Sequence, residues 1–81
     1  MPEMRAKMIV SGVINNGAGE ELTFRAVCKE DGYGEDGLDE NNTFSTFTPS
    51  ADLIMYVNNP ALVGKFKEGE SYYLDFSKSE A

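Results

Sequence analysis

Fourteen residues, KEDGYGEDGLDENN from Lys29 to Asn42, concentrate the chemistry-bearing side chains of this chain: six carboxylates, three glycines and two asparagines. Oxygen-rich loops of this kind hold calcium when the ligands recur at fixed spacing. An EF-hand loop needs oxygen ligands at positions 1, 3 and 5, Gly at 6 and Glu at 12. Counted from Asp31, position 3 is Tyr33 and position 12 is Asn42; counted from Asp36, position 3 is Leu38. The nonapeptide of calcium-binding β-rolls fits better, because DGYGEDGLD departs from G-G-x-G-x-D-x-U-x only at its first residue. In a β-roll, however, each ion sits between stacked turns, so a single copy supplies only part of a shell. No metal or other cofactor is therefore expected. The segment is read instead as a negatively charged docking surface, with Tyr33, Glu35, Asp36, Asp39 and Glu40 as candidate partner-binding residues. A structureless connection of this length is longer than most in compact domains, and such loops are frequently functional.

Catalytic groups are scarce. The chain has no histidine and one cysteine, Cys28, and carries no Walker loop and no nucleophile elbow. GYGEDG lacks the strand-to-helix context of a dinucleotide site, and its acids would repel a pyrophosphate. A non-enzymatic protein is expected. Seven basic against fourteen acidic residues give net charge −7, with no Lys/Arg cluster to displace counterions from a phosphate backbone. Direct nucleic-acid binding is thus disfavoured, and basic protein surfaces are favoured through complementary fields. A lone cysteine suits a reducing cytosol, and no segment reaches the length of a membrane span. Asn41-Asn42-Thr43 matches a glycosylation acceptor only formally.

The elements that would carry these groups are strands. At 81 residues the chain is expected to form one domain, residues 1–81, with the acidic Gly-rich loop at about 29–42. AKMIVSGVI reads as a strand with a bend or bulge at Gly12. Leu22, Phe24, Ala26 and Cys28 alternate as the inward face of a second strand, which places Cys28 in the core. Asn16-Gly17 predicts the hairpin between them. TFSTFTPS, ending near Pro49, reads as a short edge strand. ADLIMYV turns Leu53, Met55 and Val57 one way and Ile54 and Tyr56 the other. NNPALVGKF predicts one helical turn capped by Asn59 and ended by Gly64. KEGE is a turn, and SYYLDF a last strand with Tyr72, Leu74 and Phe76 inward. The expected fold is mainly β: a small antiparallel five-stranded barrel or curled sheet, OB- or SH3-like, with one short helical turn. Phe24, Leu53, Val57, Leu74 and Phe76 are the expected core.

The order of these words, MRAKMIVSGV, then a Glu-Leu-aromatic strand, an asparagine-rich segment running into FTPSADL, NPAL, and KFKEGESYYLDF near the end, resembles that of small uncharacterised proteins of tailed bacteriophages and prophages. The resemblance covers most of the chain and transfers no site residue. It implies a bacterial host cytoplasm, and action by occupying a host or defence protein. Two alternatives are open at this level. A small-molecule, nucleotide-like ligand could be bound in a homo-oligomer by Arg25, Tyr56 and Tyr73, or the chain could be a structural or assembly component of the virion.

Overall fold

The computed structural model describes residues 3–28, 37, 38, 40–46 and 49–80. Four strands run through them: β1 (Met4–Asn15), β2 (Glu20–Ala26), β3 (Asp52–Val57) and β4 (Ser71–Phe76). They form one antiparallel sheet in the order β3-β2-β1-β4. β3 and β4 lie at opposite edges, so the sheet is open. The expected barrel is not formed.

The β1–β2 hairpin forms where turn chemistry places it. Asn15 Oδ1 accepts the Gly17 N–H at 2.9 Å, and Asn16 Oδ1 accepts those of Ala18 and Gly19 at 3.1 and 3.0 Å. These Asx bonds satisfy the loop backbone without help from the rest of the fold. The register with β2 shifts between Val10 and Gly12, the bulge expected at that glycine. A Cβ on Gly12 would lie 2.7 Å from Thr23 Oγ1, so only glycine allows the two strands this approach.

The ladders divide the side chains into two faces. On the inner face Met8 stands beside Ala26 and Tyr72, Val10 beside Phe24, Val13 beside Leu22, and Leu53, Met55 and Val57 beside Phe24, Leu22 and Glu20. The buried core is Ala6, Met8, Val10, Leu22, Phe24 and Val57. The outer face carries Arg5, Lys7, Ile9, Glu21, Thr23, Arg25, Ile54, Tyr56, Tyr73 and Asp75. The alternation expected for β3 is observed. Of the expected core, Phe24 and Val57 are buried and Leu53 and Leu74 half-buried, whereas Phe76 is 44% exposed because it ends an edge strand.

Three further expectations are corrected. Residues 43–46 are turn and bend rather than an edge strand, and no strand forms among the described residues between Ala26 and Asp52. Residues 60–64 are turns, not a helix: only the Val63 N–H to Asn59 C=O bond spans four residues, at 3.2 Å, beside a three-residue bond from Leu62 N–H. Asn59 Oδ1 does accept the Ala61 N–H, and Gly64 does adopt positive φ, 87°, as expected of those positions. Cys28 is exposed, because β2 ends at Ala26 and the alternation of side-chain types outlasts the strand. Among the described residues no helix is long and apolar enough to cross a membrane.

Candidate docking site at the end of the acidic segment

Past Met8 and Ala26 the two hairpin strands part. Their last shared bond there runs from Val27 N–H to Lys7 C=O, 2.9 Å. The first residues of β1, paired with β4 on one edge, would then present backbone groups with no strand on the other, a costly condition under cover. Residues 41–43, the return of the acidic segment, take the vacant place. Arg5 N–H donates to Thr43 Oγ1 at 2.7 Å and Thr43 N–H to Arg5 C=O at 2.8 Å. Asn42 completes the splice with its side chain: Oδ1 accepts Lys7 N–H and Nδ2 donates to Val27 C=O, each at 2.9 Å. A side-chain amide offers an acceptor and a donor in one plane, as a peptide group does. At 1% exposure Asn42 is among the most buried side chains in the protein.

On the outer face the same corner is tied by a second set of contacts. Arg5 pairs in register with Asp75 and grips it with two nitrogens, Nε to Oδ1 at 2.6 Å and Nη2 to Oδ2 at 3.0 Å. The guanidinium lies 4.5 Å over the Tyr73 ring, and the Tyr73 hydroxyl donates to Asn41 Oδ1 at 3.1 Å. The Arg5 bonds hold the Asp75 carboxyl below its ordinary range, and Asp75 in turn raises Arg5. Both side chains are over a third exposed, so solvent screens the pair and its role is geometric: it orients Arg5 under Tyr73.

Just ahead of the splice, exposed Leu38 and Glu40 line a shallow hollow of about 300 Å³ together with Thr43 and Ser45. An apolar side chain, a carboxylate and two hydroxyls thus meet beside the point where Asn42 and Thr43 are bonded to β1. Of the residues expected to bind a partner, Glu40 lies here; Tyr33, Glu35, Asp36 and Asp39 lie outside the described residues. Leu38, Asn42 and Thr43 were not singled out from sequence. Asn42 stands in a run of polar residues with nothing local to distinguish it. The segment is read from sequence as an exposed docking surface, but at its end Asn42 is buried and hydrogen-bonded to β1 and to Val27.

Within one chain the alternative ligand set, Arg25, Tyr56 and Tyr73, is spread across the sheet. Arg25 and Tyr56 lie toward opposite ends of the β2–β3 ladder, opposite Asp52 and Glu21. Tyr73 stands on β4, three strand spacings from β3, or roughly 14 Å, and is engaged by Arg5 and Asn41. No family model, curated protein or solved structure matches the chain.

Proposed function

We propose that the protein acts by binding rather than catalysis, occupying a basic surface of a protein partner with its acidic segment. In the phage setting that the sequence resemblance implies, the partner is a host or defence protein. The observation that carries this reading is the splice at Asn42. It fixes the end of a segment bearing six carboxylates to the sheet, and it sets Leu38 beside Glu40 at the surface. Acids on a tethered segment supply long-range attraction and speed encounter, while a small apolar anchor with neighbouring hydroxyls supplies short-range fit. The net charge of −7 acts in the same direction.

The test is affinity capture from bacterial lysate with wild type, with Asp36→Lys/Asp39→Lys, and with Leu38→Asp. Charge reversal should abolish capture of the partner, and Leu38→Asp should weaken it while leaving its salt dependence intact. Capture by wild type should itself decline as salt rises, since exposed charges lose their reach beyond about 10 Å at 0.1 M ionic strength. Undiminished capture by the charge-reversed chain would refute the role of the segment.

A further inference from the structure

The inner face of the sheet is apolar and incompletely covered. Chain segments pack over it from two sides: Val63 and Phe66 from the loop before β4, and Phe44 and Ala51 from the stretch before β3. Between them two hollows open to solvent, of about 270 and 180 Å³. Met8, Leu53 and Leu74 line both, so they form one trough across the sheet. Its margins hold Met55, Leu62 and Phe76, which are 46%, 41% and 44% exposed. Glu20, the charged strand residue in register on this face, is buried with its Oε1 on the Gly64 N–H at 2.9 Å, and Asp52 touches only the smaller hollow.

The molecule measures 47 × 33 × 15 Å, the depth of one sheet with its covering loops. Domains bury an apolar sheet face against a second layer, and packed sheets stand about 10 Å apart. The accessible surface is 5898 Å². A compact monomer of 8.9 kDa exposes about 4,800 Å² by the usual mass scaling, so this chain exposes roughly 1,100 Å² more. A stable interface takes about 800 Å² from each partner.

We infer that the missing layer is a second copy of this chain, packed inner face to inner face about a two-fold axis. Several features favour a copy over a different partner. An isologous interface must complement itself, which a largely apolar trough rimmed by Met, Leu and Phe, with Asp52 at one end, does with little matching of opposite charges. Each copy carries net charge −7, so like charges oppose association least across the face that presents fewest of them. The surplus over the whole chain is large enough to supply what each half of such a dimer buries. The outer face is the weaker candidate: its exposed Ile14, Ile54 and Tyr56 are interleaved with Glu21, Arg25 and Asp52. This inference is independent of the acidic docking site.

Native mass spectrometry and sedimentation velocity of the full chain test it, from low concentration up to about 100 μM, well above the dissociation constants of most interfaces of this size. Wild type should be a dimer of twice 8.9 kDa, with a dissociation constant that falls as salt screens the mutual repulsion. Met55→Lys and Leu62→Lys, at positions 46% and 41% exposed, should each raise that constant at least tenfold with an unchanged far-ultraviolet circular dichroism spectrum. Tyr56→Lys, on the outer face, should leave it unaltered. A strict monomer at the highest concentration would overturn the inference. So would a monomer carrying a co-purified apolar ligand, or a dimer broken by Tyr56→Lys and not by Met55→Lys.

Discussion

Asn42→Ala removes two hydrogen bonds whose partners stay where they are. Lys7 lies on β1, paired with Tyr73 of β4, and Val27 is tied to it by its own N–H on the Lys7 C=O, so the Lys7 N–H and the Val27 C=O stay in place and both lose a 2.9 Å partner at once. Leaving one such group unsatisfied under cover costs about 1–3 kcal/mol, and two together about 2–6 kcal/mol. A domain of this length has roughly 4–12 kcal/mol of stability in total. With a urea dependence of about 1 kcal/mol per molar, the unfolding midpoint should fall by roughly 2 M or more. Asn42→Asp sharpens the test. A carboxylate still accepts from Lys7 N–H but faces the Val27 carbonyl without a proton to donate, and it buries a charge. Its neutral form can donate, so the folded protein raises the pKa of the new group. Stability is then greatest below the ordinary aspartate range and lost as pH rises through the raised value. Asn42→Asp should therefore be the weaker variant at neutral pH and recover on acidification, while the deficit of Asn42→Ala stays flat. Urea unfolding of both variants across that range decides the matter. An Asn42→Ala protein within about 0.5 kcal/mol of wild type would show that the splice contributes nothing.

Two further outcomes are expected. Gly64→Val should lower the melting temperature by about 5–15 °C: a Cβ there meets nothing within 4 Å, but φ of 87° costs a β-branched residue about 1–2 kcal/mol or more, while Gly64→Asn should be milder; equal melting of Val and Gly would place the turn in another conformation. The Asp75 carboxyl is held below its ordinary range by Arg5, so its contribution is present above that range and lost as pH falls through the depressed value; the stability gap between wild type and Asp75→Asn should accordingly close at strongly acid pH in a pH series of denaturant unfolding, and a gap independent of pH would refute the pairing.

Features of the fold that depend on neighbours in sequence were legible before the structure. The hairpin follows from Asn15 and Asn16 bonding their own loop, the bulge from a glycine inside an apolar run, and the two faces of β3 from strict alternation. Closure was not legible. A barrel would require β3 to pair with β4, and nothing local says whether two strands meet or instead flank a hairpin on opposite sides. Cys28 shows the same limit at one residue: types alternate through it, but the strand stops where Val27 N–H turns to Lys7. The candidate site was half legible. The acids announced themselves by composition, whereas Asn42 is defined by partners 35 and 15 residues away.

Asn42 and Glu20 are the buried polar side chains among the described residues, and they do the same job at opposite ends of β2. Each uses a side-chain oxygen to take a backbone N–H that no strand is placed to take, and so docks a loop on an open sheet. The loops have different consequences. The one held by Asn42 carries the acids and engages the outer face through Asn41 and Tyr73; the one held by Glu20 brings Leu62 and Phe66 to the inner trough. The docking proposed at Leu38 and Glu40 and the self-association inferred at the inner trough draw on different residues, and one need not block the other. They also respond oppositely to ionic strength. Screening weakens attraction between the acidic segment and a basic partner, and it strengthens pairing of two chains that each carry net charge −7. A single salt series that follows both partner capture and dimer mass should send the two observables in opposite directions; movement in the same direction would mean that one surface serves both.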